Sequence, residues 1–129
     1  MHPAYFETLF DSNCDASDWP DRFAIITAWA TTGTSWPLPE NEAADQRLEH
    51  EIAIRGLWHQ RLIGYSPSTD HAESGWAVDL PFEVACDLGL KFAQDAIYFV
   101  EGDWLYVSYC DSRRQLVFVG MFRSRLRPR

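Results

Sequence analysis

Three residues whose side chains commonly take part in catalysis or metal binding lie within four positions of one another. Asp70, His71 and Glu73 stand in the stretch STDHAESGWAVDLP. Imidazole and carboxylate groups together suit zinc, manganese or iron, so with His50 or His59 these residues could form a metal site. The spacing is weak evidence, because His71 and Glu73 project to one side only where the backbone is extended. The alternative is a polar loop whose side chains stabilise a turn. We therefore predict no bound metal.

Two of these residues, Glu73 and His71, could instead act as acid–base groups in a small hydrolase. That chemistry needs a carboxyl or imidazole group in a partly dry pocket, and Trp76 and Trp29 could form its walls. The alternative is that Glu73 accepts hydrogen bonds from loop amides and orders the entry into a strand. A carboxylate beside aromatic residues is common in globular domains, which favours the structural interpretation.

A second group of polar residues lies where a predicted strand leads into a predicted helix. Asn41 could cap this helix, and Trp36 lies in the loop before it. Thr27 and Thr32 precede Trp36 in the chain. The first N–H groups of a helix have no partner within the helix and can bind an anion. These residues could therefore border a pocket at the strand-to-helix junction.

Several common classes of protein are excluded or disfavoured by the absence of their motifs. The chain contains neither G-x-x-x-x-G-K-[ST] nor G-x-G-x-x-G, the usual loops for binding nucleotide phosphates. It also lacks G-x-S-x-G and H-E-x-x-H, which mark two common groups of hydrolases. No cofactor is predicted.

Charge is distributed unevenly along the chain. The net charge is −8, yet all 19 acidic residues lie at or before Asp111, and six of the 11 basic residues follow it. An acidic surface repels phosphate backbones, so nucleic-acid binding is not expected. The basic tail FRSRLRPR could dock on its own acidic body, on a neighbour or on an anionic partner, or it could be a solvated end.

Length, hydropathy and cysteine usage indicate one globular domain in the cytoplasm. A chain of 129 residues can bury about two thirds of its unfolded surface in a single core. No apolar run approaches the roughly 20 residues of a membrane span, and the amino terminus lacks the pattern of a secretory signal. Cys14, Cys86 and Cys110 are odd in number and widely spaced, which favours free thiols over a disulfide framework.

Hydrophobic spacing predicts one domain in three parts. Residues 1–21 hold a short amino-terminal helix and a loop, residues 22–122 form an α+β core, and residues 123–129 are the basic tail. Within the core we predict strands at 22–29, 58–65, 76–80, 96–100, 104–110 and 115–122, and helices at 41–55 and 81–92.

The predicted order is a helix, then β-α-β-β-α-β, then two further strands. This central order matches the split βαβ, ferredoxin-like arrangement, in which two helices cover one face of an antiparallel sheet. Large side chains alternate on both faces of strand 104–110, so the face without helices also needs a cover. We predict that the amino-terminal helix or a second subunit covers this face. Cover by a second subunit would make a homodimer through the sheet.

Four segments, FAIITAW, LPENEAADQRL, HAESGWAV and KFAQDAIYFV, resemble in this order the bacterial domain-of-unknown-function family 3293. The resemblance covers most of the chain. One departure is that Ala30 and Thr31 stand where the family pattern has Asn-Pro after the tryptophan. The positions that match the family pattern are Thr27, Ala28, Trp29, Glu40, Asn41, Glu73, Phe92, Gln94, Ala96 and Ile97.

The resemblance implies a small bacterial protein and strengthens the choice of residues, but it names no substrate. The resulting hypothesis is a binding or interaction domain with a polar pocket. A small hydrolase using Glu73 and His71 is the alternative, and an interaction protein acting through the arginine tail is a third. The predicted pocket consists of Thr27, Trp29, Asn41, Glu73 and Gln94.

Overall fold

A computed structural model describes residues 1–12, 18–30, 35–69 and 71–128 of the chain. It begins with a 3-10 helix at Pro3–Phe6 and contains three α-helices, namely α1 (Leu38–Ile54), α2 (Phe82–Lys91) and α3 (Phe122–Arg125). The strands are β1 (Leu9–Ser12), β2 (Arg22–Thr27), β3 (His59–Tyr65), β4 (Ala72–Val78), β5 (Ala96–Glu101), β6 (Trp104–Tyr109), β7 (Val117–Met121) and β8 (Leu126–Pro128).

All the strands belong to one mixed sheet with the order β7-β6-β5-β2-β4-β3-β1-β8. Neighbouring strands are antiparallel except β1 and β8, which are parallel. Although β7 and β8 are at opposite edges, only the four residues of α3 join them. That connection spans at most about 18 Å, whereas eight strands in a flat sheet extend about 34 Å. The sheet therefore curls into a half-barrel.

Curling gives the sheet two faces with separate hydrophobic clusters. Along β2, Phe23 and Ile25 belong to an inner cluster, while Ala24 and Ile26 belong to an outer one. This is the two-residue alternation of a strand buried on both sides, and it explains the nearly continuous apolar run of β2. The inner face is closed by its own curvature, with Phe122 of α3 packed into the inner cluster.

Helices α1 and α2 cover the outer cluster. Their buried side chains recur at helical spacing, such as Ala44, Leu48 and Ile52 in α1. Helix α1 is also tied to the sheet by Arg61 of β3, whose guanidinium donates two hydrogen bonds of 2.7 and 2.8 Å to the Asp45 carboxylate. The helix ends before Gly56, which has a φ of 68° that glycine adopts without strain.

The predicted cap of α1 is wrong. The helix begins three residues before Asn41, and Pro37 is its N-cap. Proline is tolerated here because the first N–H groups of a helix have no partner within it. Asn41 lies one turn inside the helix. Its side chain accepts a hydrogen bond of 2.9 Å from the Ala30 amide and donates one of 3.4 Å to the Trp36 carbonyl.

The ferredoxin-like prediction is also wrong. It requires an antiparallel sheet with two helices on one face, whereas the described residues form a curled, mixed sheet of eight strands with three α-helices. Two strands were not predicted. Residues 9–12 form β1, paired with β3, although helical spacing predicts a helix over residues 4–10 followed by a loop. Residues 126–128 of the basic tail form β8. With these strands the sheet folds over its own inner face.

The helices in the described part of the chain are too short or too polar to cross a membrane.

Candidate functional site

One end of the inner face contains a cavity of about 110 Å³ that is partly open to solvent. Phe10, Ile25 and Leu62 of the inner cluster line it, and Ala4 and Tyr5 of the 3-10 helix border it on another side. Its wall is therefore largely apolar. The lining also includes polar side chains from β2, β4, β5 and the adjoining loops.

Strand alternation determines which side chains reach this cavity. On β4, Ala77 belongs to the inner cluster, so Gly75 and Glu73 share its face, and both line the cavity. On β2, Thr27 follows Ile25 on the same face and also lines the cavity. Because β2 and β4 are paired, with Thr27 opposite Gly75, residues distant in the chain meet at one place.

His71 and Glu73 are hydrogen-bonded to each other in the cavity lining. Nε2 of His71 lies 3.0 Å from Oε1 of Glu73. The His71 side chain is 68% exposed and that of Glu73 is 23% exposed, so the imidazole is nearer the solvent. Gly64 of β3 stands opposite Glu73 and contributes no side chain of its own, and the side chains of Thr8 and Phe10 pack over it. Asp70, the third member of the sequence cluster, lies outside the described residues.

Thr27 and Gln94 form a second polar pair in the cavity lining. The Thr27 hydroxyl donates a hydrogen bond of 3.0 Å to Oε1 of Gln94. The Gln94 amide group donates to the carbonyls of Trp29 and Phe92, at 2.6 and 3.2 Å. Since carbonyl oxygens only accept hydrogen bonds, the orientation of the amide is determined. Gln94 thus joins the ends of β2 and α2 behind the cavity.

Trp29 and Asn41, which we predicted as pocket residues, do not line the cavity. The Trp29 carbonyl accepts the hydrogen bond from Gln94, and Asn41 holds the amide of Ala30. Both residues organise the loop after β2. Trp36 lines a separate groove beside α1 on the outer side, and Thr32 lies outside the described residues.

Tyr98 and Thr8 also line the cavity, and sequence analysis did not identify them. The buried Tyr98 hydroxyl donates a hydrogen bond of 2.7 Å to the Tyr5 carbonyl and lies 2.9 Å from Oγ1 of Thr8. Burial, the largest cause, raises the pKa of Tyr98 well above its usual range, so the hydroxyl is neutral at physiological pH. Strand alternation could have identified Tyr98, because it places the Tyr98 side chain on the opposite face of the strand from Ile97 and Phe99.

The histidines considered as further metal ligands lie on the outer side of the sheet. His50 lines the groove beside α1. The ring of His59 packs against that of Trp76, with their centroids 5.3 Å apart. Neither joins His71. Within residues 1–12, 18–30, 35–69 and 71–128, no group of three or more His, Cys, Asp or Glu side chains is placed to hold a metal ion.

The two described cysteines lie away from the cavity. Cys86, on α2, and Cys110, just after β6, are free, buried thiols in the outer cluster. The hydrogen bond with Cys86, and then burial, raise the pKa of the Cys110 thiol. A protonated, buried thiol is a poor nucleophile, so Cys110 does not suit covalent catalysis. Cys14 lies outside the described residues.

We predict that Gln94→Glu destabilises the protein by about 2 kcal/mol. The substitution places a carboxylate oxygen against the Trp29 and Phe92 carbonyls and removes both of their donors. Urea unfolding at pH 7 measures the effect. Gln46→Glu, the same change on the exposed side of α1, should shift stability by less than about 0.5 kcal/mol. Equal effects in the two variants would show that the hydrogen bonds of Gln94 contribute little.

The fold and the site define a small α+β domain with a cavity inside a curled, mixed sheet. The chain belongs to the family described as Protein of unknown function (DUF3293), whose model matches residues 26–97. This confirms the resemblance found in the sequence. The matched segment includes Thr27, His71, Glu73 and Gln94, whereas Thr8 and Tyr98 lie outside it. No curated protein and no solved structure matches the chain.

Proposed function

We propose that this protein binds a small, partly apolar molecule in the cavity of the inner face. The observation that carries the proposal is a cavity of about 110 Å³ with an apolar wall, in which Thr27, Glu73 and Gln94 lie together. Ligand sites are typically concave and apolar, with a few polar groups that orient the ligand. In this proposal Trp29 and Asn41 support the site from behind through their hydrogen bonds.

Isobutanol is a suitable first probe, because it combines a short apolar body with one hydroxyl group. We expect saturable changes in the amide NMR spectrum that are largest for residues lining the cavity. Ala96→Leu should abolish them, since Ala96 lines the cavity and a larger side chain would fill it. Ala72→Leu, on the exposed opposite face of β4, is the matched control and should preserve binding. Spectra that do not change with either isobutanol or xenon would contradict the proposal.

A hydrolase is the second candidate function, and the contact between His71 and Glu73 favours it. A carboxylate that holds an imidazole at 3.0 Å could orient it to take a proton from a water molecule at the cavity. The large exposure of His71 does not help, because general bases work best in partly dry surroundings.

Hydrolysis of p-nitrophenyl acetate tests this second candidate. If His71 is the base, His71→Gln should lower the rate by about 100-fold or more. His50→Gln is the control, because His50 is exposed and any surface imidazole gives a weak background rate. Equal, small losses in the two variants would exclude the hydrolase mechanism.

Self-association through the sheet stays a prediction, and β6 and β7 offer a surface for it. Trp104 and Phe118 are 55% and 51% exposed, with ring centroids 5.7 Å apart, and β7 is an edge strand. The segment Val117–Met121 has no charged side chain, so two copies could pair there without repulsion despite the net charge of −8.

If this surface forms a dimer, light scattering should give twice the mass of the chain. Phe118→Ser should convert the dimer to a monomer, whereas Val84→Ser, an exposed apolar residue on α2, should not. A wild-type monomer at about 100 μM would contradict the prediction.

A further inference from the structure

We propose that the cavity selects a small primary amine, carried as an ammonium ion on a short apolar body. This inference rests on the proposed function, since it specifies the ligand of the same cavity. It depends on the charge of the lining, on the direction of its hydrogen bonds and on its size.

The charge of the lining favours a cation. Glu73 contributes a carboxylate, and none of the described residues that line the cavity is lysine or arginine. The Glu73 side chain is only 23% exposed, so its charge is partly removed from water. One oxygen contacts His71, while Oε2 has no hydrogen bond to the described residues. A partly buried carboxylate gains most from a second, positively charged partner.

The hydrogen bonds of the lining favour a ligand that donates. Thr27 donates to Gln94, and the Gln94 amide donates to two backbone carbonyls. Tyr98 donates to the Tyr5 carbonyl, and Thr8 donates to the Ala4 carbonyl at 3.0 Å. These four side chains have therefore used their polar hydrogens within the protein. Their oxygens retain lone pairs that can accept hydrogen bonds from an ammonium group.

The size and the aromatic character of the cavity limit the rest of the ligand. An apolar cavity of about 150 Å³ holds benzene, so the cavity of about 110 Å³ suits a body of about four or five carbon atoms. The rings of Phe10 and Tyr98 pack edge to face in the cavity wall, with their centroids 5.3 Å apart. Aromatic rings attract cations as well as apolar groups, which agrees with an amine attached to such a body.

Three probes of the same shape test the inference, namely isobutylamine, isobutanol and isobutyrate. Titrations followed by amide NMR at pH 7.5 and constant ionic strength give the dissociation constants. We expect isobutylamine to bind at least 10-fold more tightly than isobutanol, and isobutyrate to bind most weakly. Equal affinities for the three probes would overturn the inference while leaving the proposed function intact. A failure of all three to bind would overturn both.

Charge variants identify the source of the preference. Glu73→Gln should weaken the binding of isobutylamine at least 10-fold and change the dissociation constant of isobutanol by no more than twofold. Unfolding curves should show that the variant is folded. Glu101→Gln removes the same charge at the exposed far end of β5 and is the matched control. If Glu101→Gln weakens isobutylamine as much as Glu73→Gln does, the preference comes from the overall negative charge and the inference is wrong.

Discussion

Gly75→Ala is expected to destabilise the protein by about 3 kcal/mol. Gly75 lies on β4 opposite Thr27, and the close approach of β2 leaves no room for a side chain. A Cβ at this position would lie 2.7 Å from Cγ2 of Thr27 and 2.9 Å from the Ile26 carbonyl oxygen. Because one of these atoms is backbone, the strands themselves would have to separate.

Urea unfolding of Gly75→Ala and Gly64→Ala checks this expectation. Gly64 is the matched control, since it lies on the neighbouring strand and lines the same cavity. A Cβ there would lie 3.4 Å from its nearest neighbour, Cγ2 of Thr8, which is an ordinary van der Waals distance. Gly64→Ala should therefore change stability by less than about 0.5 kcal/mol, helped by the lower entropy of the unfolded chain. Equal losses would mean that the approach of Thr27 to Gly75 is not what requires glycine.

Arg125→Met is expected to lower the free energy of unfolding by about 2.5 kcal/mol, because Arg125 connects β7, at one edge of the sheet, with the segment that leads into β1, next to the other edge strand, β8. Its Nη1 donates hydrogen bonds of 2.9 and 3.2 Å to the carbonyls of Phe6 and Thr8, just before β1. Its Nη2 donates one of 3.4 Å to the Val119 carbonyl of β7. The substitution keeps much of the apolar stem and removes all three hydrogen bonds.

The effect of Arg125→Met should be local as well as global. We expect faster amide hydrogen exchange in β1 and β7 than in β2 and β4, because β7 and the start of β1 lose the contact that Arg125 makes between them. Arg127→Met is the control, since the Arg127 side chain donates to the nearby carbonyls of Ser124 and Leu126. Equal loss of stability in both variants, or uniform exchange across the sheet, would contradict this role of Arg125.

Local patterns predicted the elements whose own residues determine them. The apolar, β-branched run at residues 22–29 contains β2, and the helix predicted at 81–92 contains α2. The N-cap of α1 was misplaced because Asn41 is a favourable cap in isolation, whereas in the fold its side chain is needed to hold the loop at Ala30.

Short strands at the two ends of the chain could not be predicted in this way. β1 has four residues and β8 has three, and each is a strand because of the strand beside it. Leu9 and Phe10 show helical spacing with Tyr5 and Phe6, yet so short a helix gains little, while pairing with β3 buries Phe10 in the inner cluster.

The residues of the candidate site were also predicted from the sequence only in part. Thr27, His71, Glu73 and Gln94 were predicted from the sequence, and the tertiary structure brings all four to one cavity. Trp29 and Asn41 were predicted with them but lie elsewhere, because Trp29 is in the loop after β2 and Asn41 inside α1 holds that loop.

The sequence by itself determined the family, the acidic body with a basic end, most of the strands and helices, and four polar residues of the candidate site. Only the tertiary structure decided that the sheet curls and that Tyr98 and Thr8 complete a cavity within it. The physical reason is that curvature follows from long-range pairing. A four-residue α3 must join opposite edges of the sheet, and no local pattern of residues records that requirement.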